Sequence, residues 1–539
     1  MSFFFPEMKA SQYFSMSLFL LILLISCPWL ISANPHLNNF LGCLDSFYSN
    51  DISKVIYTQN NASYSSVLNA TIQNLRFSTP TTSKPLVIVT PLQTSHIQAT
   101  IRCSRTNGLN LRIRSGGHDF EGLSYVSQVP FVVLDLTNFR SVKIDVKNKV
   151  AWVQSGAILG EFYSEIAKRS RTLAFPAGIC HTVGVGGYLS GGGYGLLLRK
   201  YGLAVDNVID AVFIDVNGRI LKRKSMGEDL FWAIRGGGGG SFGVVLSWKV
   251  KLVSVPSTVT VFTIRKTLEE NATNLVHQWQ SVGHKLPGDI FSAVTMRKVN
   301  RNGKPTILVA FSFFFLGETN ALITLMKAGF PELGLKKEHC TEMSWIESIL
   351  YFGQIQNKSI DVLLDRSYKS PLNAPWFKTK LDYVKNPIPK AGFEKIWSKL
   401  YEEDAETAAM AFIAYGGKMA EIPESATPFP HRDGNLYHIA YTVGWDGEEN
   451  TKSQRYMNWI RKFYSFMTPF VSKSPRGAYV NYRDDDIGTN NKKGETSYAK
   501  ASVWGRKYFK NNFDKLIYIK TKVDPHNFFK HEQSIPVSV

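Results

Sequence analysis

The spacing of hydrophobic residues divides most of the chain into two parts with different patterns. Between about residues 80 and 255, short apolar runs alternate with amphipathic and glycine-rich stretches, which is typical of α/β organisation. The predicted elements of this part are strands at 86–89, 131–136 and 151–153 and helices at 159–168 and 229–234.

After Pro256 the pattern changes to longer amphipathic helices with strands between them. The predicted elements are helices at 274–282 and 454–466 and strands at 307–316, 409–415 and 435–445. We therefore expect residues 257–475 to form an α+β substrate domain on a largely antiparallel sheet, with residues 476–539 returning to the first domain. A ligand cleft is expected where the two domains meet.

The N-terminus carries an apolar run over residues 16–30, followed by a plausible cleavage site after Ala33. The run is short and is interrupted by Ser26 and Pro28, which favours a removed secretory signal peptide at residues 1–33 over a membrane anchor. The expected destination is the extracellular space (apoplast) or the vacuole. The N-glycosylation sequons that agree with this route begin at Asn61, Asn69, Asn271 and Asn357.

The composition is that of a folded globular protein of two or three domains: 539 residues, 44% hydrophobic and 13% aromatic. The formal net charge is +19, but the 62 lysines and arginines are scattered, with no dense basic run and no zinc or RNA-binding signature. Nucleic acid is therefore not an expected partner, and neither a metal nor a membrane is expected for the mature chain. The sequence does not fix the oligomeric state, and a monomer is assumed.

Two residues stand beside glycine-rich backbone in a way that suggests attachment of a cofactor. His118 lies in a glycine turn at residues 114–119, and Cys180 directly precedes the glycine-dense stretch 184–195. Backbone without side chains lets N–H groups approach a large anionic or planar ligand. A nucleotide-binding Walker loop is excluded because Gly195 is followed by leucine instead of lysine, and a Rossmann turn does not fit the surrounding pattern. A flavin pocket is the remaining interpretation.

These motifs, with the segments at 84–91, 225–236 and 524–529, resemble the plant berberine-bridge-enzyme-like flavoproteins, and within them the cannabinoid oxidocyclase branch. The resemblance implies an α+β fold: a two-lobed FAD-binding domain of the PCMH or vanillyl-alcohol-oxidase type, with the α+β substrate domain inserted. In this scheme residues 34–79 open the FAD domain, 80–256 form its main part and 476–539 complete it.

The resemblance also implies a cofactor and its attachment. FAD would be bonded to His118 through its 8α-methyl group and to Cys180 through C6 of the ring system. A disulfide would join Cys43 to Cys103, leaving Cys340 as a buried thiol. The other expected cofactor-binding residues are Arg114, Ser115, Gly116, Gly117, Asp119, Ser124, Val183, Gly184, Gly186, Gly187, Gly191, Gly192 and Asn481.

Tyr482 is the expected catalytic base, because the matching tyrosine of the related branch accepts the phenolic proton of the substrate. Neighbouring cations or hydrogen bonds would have to lower its pKa. Tyr194 matches a pocket tyrosine that orients the substrate, and Val183 matches a position where a small side chain admits dioxygen. His438 stands where the family often carries Glu or Gln, so a neutral imidazole would replace a carboxylate above the flavin.

The expected function is a secreted FAD-dependent oxidase that transfers hydride from an isoprenylated phenol to flavin N5 and reduces O2 to H2O2. The replacement at His438 keeps a second reaction class open, a redox-neutral cyclase of the Diels–Alder type on the same scaffold. A carbohydrate oxidase is a third possibility, because such enzymes occur among the relatives. In each case the partner is a small molecule, and for the oxidases also O2.

Overall fold

The computed structural model describes residues 35–47, 52–369, 371–372, 374–447, 450–492 and 494–538. The predicted signal peptide at residues 1–33 lies outside the described residues.

The first part of the chain contains two sheets. A four-stranded sheet has the order β1-β2-β4-β3, in which β2, β4 and β3 are parallel, and a five-stranded antiparallel sheet has the order β5-β6-β10-β8-β9. A separate two-stranded sheet is formed by β7 and β11. The strands are β1 Ile56–Thr58, β2 Val87–Val89, β3 Asn110–Arg114, β4 Phe131–Asp135, β5 Val142–Asp145, β6 Val150–Gln154, β7 Leu173–Ala174, β8 Val208–Ile214, β9 Ile220–Leu221, β10 Val244–Lys251 and β11 Val253–Ser254.

The second part is built on a seven-stranded antiparallel sheet of order β15-β12-β14-β13-β17-β18-β16. Its strands are β12 Val259–Thr267, β13 Ile290–Arg301, β14 Lys304–Phe315, β15 Cys340–Met343, β16 Trp376–Val384, β17 Ala409–Ala414 and β18 Tyr437–Trp445.

The α-helices of both parts are α1 Pro35–Phe47, α2 Tyr64–Asn69, α3 Thr94–Thr106, α4 Leu159–Ala167, α5 Val185–Ser190, α6 Leu198–Tyr201, α7 Arg223–Ile234, α8 Ala272–Val282, α9 Thr319–Gly329, α10 Trp345–Phe352, α11 Lys390–Leu400, α12 Lys418–Glu421, α13 Asn450–Phe466, α14 Tyr498–Phe509 and α15 Asn512–Val523. Short 3-10 turns connect several of them.

Helices cover one face of the seven-stranded sheet and leave most of the other face open towards the first part. On that second face only its β12–β13 end is covered in the described residues by α10, where Tyr351 donates to Thr263 at 2.9 Å and Phe352 packs against Phe291. Trp279 of α8, Phe393 of α11 and Phe463 of α13 pack into one hydrophobic core with alternate residues of β12, β14, β17 and β18. The period of two along each strand sends the intervening residues to the opposite face. That open face forms one wall of the cavity described below.

The elements expected from the hydrophobic pattern are present, with shifted ends. The helix expected at 229–234 begins at Arg223 and is kinked at Gly227, and the helix expected at 454–466 begins at Asn450. Both extensions consist mostly of polar residues, so the hydrophobic pattern that predicts a helix is absent there. The predictions for Leu159–Ala167 and Ala272–Val282 differ from the structure by one or two residues.

The C-terminal segment packs against the first part of the chain. Trp504 of α14 and Phe513 of α15 belong to the same core as Val153 and Phe213 of the five-stranded sheet. The buried guanidinium of Arg112 on β3 donates to both oxygens of Glu532 at 2.8 and 3.0 Å.

A disulfide joins Cys43 of α1 to Cys103 of α3, the pair that the resemblance implies. Cys340 forms no disulfide and lies on the edge strand β15 with its side chain half-buried, so it is more accessible than expected. The asparagines of the sequons, Asn61, Asn69, Asn271 and Asn357, are all exposed. Their glycosylation stays a prediction.

The loops that carry His118 and Cys180 are in direct main-chain contact at Gly116 and Gly184. A Cβ atom on Gly184 would lie 2.1 Å from the amide nitrogen of Gly116, and one on Gly116 would lie 2.2 Å from the nitrogen of Gly184. Real Cβ atoms do not approach this closely, so both positions require glycine. This contact fixes the separation of the two loops.

Replacing Gly184 with alanine is expected to destabilise the protein by about 3 kcal/mol or more, because the methyl group meets main chain that has no room to move. Gly42 in α1 is the matched control, since a Cβ there has no atom within 4 Å. Gly42→Ala should be neutral or stabilising by up to about 1 kcal/mol. Thermal unfolding of both variants checks this, and equal melting temperatures would contradict it.

Candidate cofactor and substrate site

A cavity of about 1450 Å³ lies between the loops of the first part and the open face of the seven-stranded sheet. One wall is glycine-rich backbone, and the other consists of side chains from β12, β13, β14, β17 and β18. The predicted site residues that line it are Ser115, Gly116, Gly117, His118, Asp119, Ser124, Cys180, Val183, Gly184, Gly186, Gly187, Tyr194, Asn481 and Tyr482. The structure therefore brings both candidate attachment residues and the candidate base into one space.

His118 is held by a contact to the loop of Cys180. Its Nε2 atom lies 3.0 Å from Oγ1 of Thr182. Burial and the nearby positive charge of Lys369 lower the pKa of the imidazole to about 3. His118 is therefore neutral at physiological pH, and one ring nitrogen carries a lone pair that can form a bond.

Cys180 faces the same cavity from the loop before α5. The N–H of Val183 donates to its carbonyl at 3.2 Å, which makes a tight turn directly after it. The N–H of Leu159, the first residue of α4, donates to the carbonyl of Val183 at 2.9 Å. These bonds attach the loop to the start of α4. Cys180 and the candidate base Tyr482 line the same cavity.

The cavity wall fits a dinucleotide such as FAD. The hydroxyl oxygens of Ser124 and Ser155 are buried and have no hydrogen-bond partner in the described part of the chain. Both residues line the cavity, so a ligand with polar oxygens would satisfy them. Gly186 and Gly187 expose main chain to the same space, which a large anionic ligand can approach.

Tyr482 and Tyr194 form a hydroxyl pair. Their oxygens share a short hydrogen bond, and Phe120 packs on the Tyr482 ring with centroids 4.9 Å apart. Burial raises the pKa of Tyr482 to about 12, although the hydrogen bond with Tyr194 lowers it. The expectation that cations lower this pKa is not met, because no lysine or arginine among the described residues contributes to the shift. Burial likewise raises the pKa of Tyr194.

His438 does not reach the cavity, contrary to the expectation of an imidazole above the flavin. Its side chain is 1% exposed and is covered by Tyr194, with ring centroids 4.7 Å apart. Burial lowers its pKa to about 3, and Nε2 has no partner in the described residues. The predicted alternation is present, since His438, Ala440 and Thr442 share one face of β18, but Ala440 and Thr442 are the residues of this face that line the cavity.

Arg114, Gly191 and Gly192 also lie outside the cavity wall. The guanidinium of Arg114 is fully buried and donates to Asp135 at 2.6 Å and to two main-chain carbonyls. Gly191 is needed for packing, because a Cβ there would meet Oδ1 of Asn481 at 2.0 Å. Gly192 has a φ of +124° and faces Phe429 and Tyr479. All three are thus in contact with other parts of the chain and do not line the cavity.

A buried ion network fixes the loop of His118 to the segment of Tyr482. Asp119 accepts from Arg483 at 2.8 Å, and Glu121 is paired with Lys378 on β16. Lys378 also donates to Asp484 at 2.7 Å. The network lies among residues that are next to His118 and Tyr482 in sequence, so it positions both.

Several site residues have no local motif and were missed by sequence reasoning. Ser155 and Tyr479 line the cavity from distant segments, and Thr182 contacts His118 from the loop of Cys180. Arg265 and Arg297 line it from two strands of the open sheet face. Alternation along those strands places the two arginines on that face, but only the strand pairing shows that it borders a cavity.

Among the described residues, no helix is long and apolar enough to cross a membrane. In the same ranges, no cluster of three or more His, Cys, Asp and Glu side chains has a geometry that would hold a metal ion.

The chain matches two family descriptions and has close relatives along almost its whole length. The family described as "FAD binding domain" matches residues 85–223, and "Berberine and berberine like" matches residues 478–536. Berberine bridge enzyme-like 18 of Arabidopsis thaliana is 50% identical over 98% of both chains. Tetrahydroberberine oxidase of Berberis wilsoniae is 52% identical over 94% of this chain and 95% of the relative. Cannabidiolic acid synthase-like 1 of Cannabis sativa is 50% identical over 94% of both.

Solved structures agree with these relatives. The structure of BBE-like 28 from Arabidopsis thaliana superposes with a TM-score of 0.87 at 49% identity, over 93% of this chain and all of the other. Wild-type Phl p 4.0202, described as a glucose dehydrogenase, gives 0.87 at 45% identity, over 93% of this chain and 99% of the other. A Phl p 4 variant with valine in place of one isoleucine is described as a glucose oxidase. This chain belongs to the berberine bridge enzyme-like family of FAD-dependent oxidoreductases, and its α+β fold is theirs.

Proposed function

We propose that this protein is an oxidase of a small phenolic plant metabolite, with an isoprenylated phenol as the preferred class, and that it holds FAD through bonds to both His118 and Cys180. The observation that carries this proposal is the shared cavity: His118, Cys180 and the Tyr194–Tyr482 pair line the same space. When bound, FAD accepts a hydride from the substrate and passes the electrons to dioxygen.

The attachment is supported by the state of the two side chains. When Nε2–H of His118 donates to Thr182, the lone pair is on Nδ1, which is then the nitrogen available for a bond. The low pKa keeps the ring neutral, as a nucleophile must be. Cys180 lines the same cavity as His118 and Tyr482.

Tyr482 binds the phenolic oxygen of the substrate and takes its proton when ionised. Removal of that proton makes the arene electron-rich, which eases loss of hydride from the neighbouring prenyl carbon. Tyr194 keeps the Tyr482 hydroxyl oriented through the hydrogen bond between them. Since His438 is covered by Tyr194, it supports this ring and does not receive a proton from the substrate.

Reoxidation by dioxygen is supported by Val183, which lines the cavity with a small half-buried side chain. In Phl p 4 one isoleucine-to-valine change accompanies the difference between a described dehydrogenase and a described oxidase. The same relative supports glucose or another sugar as a second candidate substrate class. A redox-neutral cyclase is the third candidate. The buried His438 stands where the family often carries Glu or Gln, and the next residue on this face of β18 is Ala440, which has no carboxylate either.

A secretory destination, apoplast or vacuole, is part of the proposal. It is supported by the exposed sequon asparagines and by the Cys43–Cys103 disulfide, which is typical of oxidising compartments.

Peroxide yield distinguishes the candidates. The purified protein is mixed with prenylated phenols, alkaloids and sugars under argon, and flavin bleaching is followed before air is admitted. We expect bleaching by a prenylated phenol and one H2O2 per product. Bleaching only by sugars would support the carbohydrate oxidase, and product without peroxide would support the cyclase. If no phenol bleaches the flavin, the proposal fails.

Replacing Tyr482 with phenylalanine is expected to slow flavin reduction about 10²–10⁴-fold, because the base is lost. In the wild type the rate should rise with pH, about tenfold per unit, since burial raises the pKa of Tyr482 to about 12 and the ionised form is scarce at neutral pH. Tyr482→Phe should remove this rise, as measured by anaerobic stopped-flow. The exposed Tyr498→Phe is the control, and an unchanged slope in Tyr482→Phe would contradict the assignment.

A further inference from the structure

We propose that Arg265 and Arg297 bind a carboxylate of the substrate, so that the preferred substrate is an elongated phenolic carboxylic acid. This inference rests on the proposed function, which places the reacting phenol at Tyr482. The arginines lie at the opposite side of the same cavity.

The strand register fixes their position. Across the open face, one row runs from Arg265 through Ala310, Thr295 and Ala411 to Ala440. The next row places Arg297 between Leu308 and Ala409 and continues to Thr442 and Thr379. Arg265 and Arg297 are therefore on β12 and β13, on either side of β14, and both point into the cavity.

The row that begins at Arg265 carries small side chains on the other four strands. Ala310, Thr295, Ala411 and Ala440 leave this part of the sheet shallow, and all four line the cavity. A flat molecule can lie along this row in contact with the strands. The row leads from the arginines towards the side of the sheet at which Tyr194 covers His438 of β18.

The length of the substrate follows from the sheet. Neighbouring strands are about 4.8 Å apart, so β13 lies about 10 Å from β18 and β12 about 19 Å from it. The arginine side chains shorten these spans. A ligand that reaches both Tyr482 and the arginines must carry its acidic group at the end opposite its phenol.

The charges of both arginines are available to a ligand. Both side chains are exposed, and no ion pair or hydrogen bond joins either of them to another residue in the ranges that the structure describes. By contrast, the other arginines of the cavity are paired: Arg112 with Glu532, and Arg483 with Asp119. A guanidinium that faces a ligand cavity without a protein carboxylate suits a bidentate carboxylate ligand.

Other charged groups line the cavity at the end of the sheet where Ala409 of β17 pairs with Arg297. Glu406 precedes β17, Asp446 follows β18 and Lys452 lies on α13. Neither carboxylate, that of Glu406 or that of Asp446, is within ion-pair distance of Arg265 or Arg297. The acidic groups therefore do not neutralise the arginines, and a carboxylate between β12 and β13 is the complementary ligand.

The test compares a 4-hydroxyphenyl alkanoate, with about eight carbon atoms in its acid chain so that it spans the distance from Tyr482 to the arginines, with its methyl ester on the flavin-loaded protein. Dissociation constants are measured from perturbation of the flavin absorption under argon, without turnover. We expect the acid to bind at least about tenfold more tightly than the ester. Arg297→Gln and Arg265→Gln should each reduce this preference, and the double variant should abolish it, while affinity for the ester stays the same.

Matched controls are Lys298→Gln and Lys266→Gln, which remove a positive charge from the same strands on the opposite face. They should leave the preference for the acid unchanged, and thermal unfolding shows whether each variant folds. Equal affinity for acid and ester in the wild type, no binding of either, or an equal effect of the lysine variants would overturn the proposal. The peroxide yield with prenylated phenols tests the oxidase separately, so the two failures are distinguishable.

Discussion

The site depends on one close approach of main chain to main chain. Gly116 and Gly184 are so near that a single methyl group on either would collide with the other loop. Because of this contact, the loop that follows β3 and the loop that precedes α5 form one continuous wall. His118 and Cys180 extend from this wall into the same cavity, and Thr182 joins the two loops through the His118 ring. A cofactor bonded at both residues needs this fixed separation.

The opposite side of the site is held by buried charges. Lys378 on β16 joins Glu121, which follows His118, to Asp484, which follows Tyr482. Arg483 pairs with Asp119 in the same way. Isolated charges would be costly to bury, but paired charges with further hydrogen bonds fix the geometry of three distant chain segments. The candidate base is thereby placed relative to the candidate attachment residues before any ligand binds.

Local motifs predicted the glycine-rich wall, the candidate attachment residues that line the cavity, and most strands and helices. The glycine-rich stretch after Cys180 and the turn at His118 can be recognised in the sequence, because a backbone that turns tightly or packs closely requires glycine. The hydrophobic period predicted α4 and α8 almost to the residue for the same local reason. The family resemblance supplied the pairing of Cys43 with Cys103, which the structure contains, and the choice of Tyr482 as candidate base.

Properties that depend on tertiary contacts were not predictable. The sequence placed His438 on the correct face of β18, but the covering ring of Tyr194 comes from a segment far away in the chain. For the same reason the pKa of Tyr482 was expected to be lowered, whereas burial raises it. The arginines of the open sheet face have no motif at all, and only the pairing of β12, β14 and β13 brings them together.

Mass spectrometry of the purified protein after proteolysis tests the central claim most directly. The account predicts that the peptides containing His118 and Cys180 are recovered as one species, cross-linked by FAD, and that acid precipitation leaves the yellow colour in the pellet. Recovery of both peptides without flavin, or release of the colour into the supernatant, would contradict the double linkage.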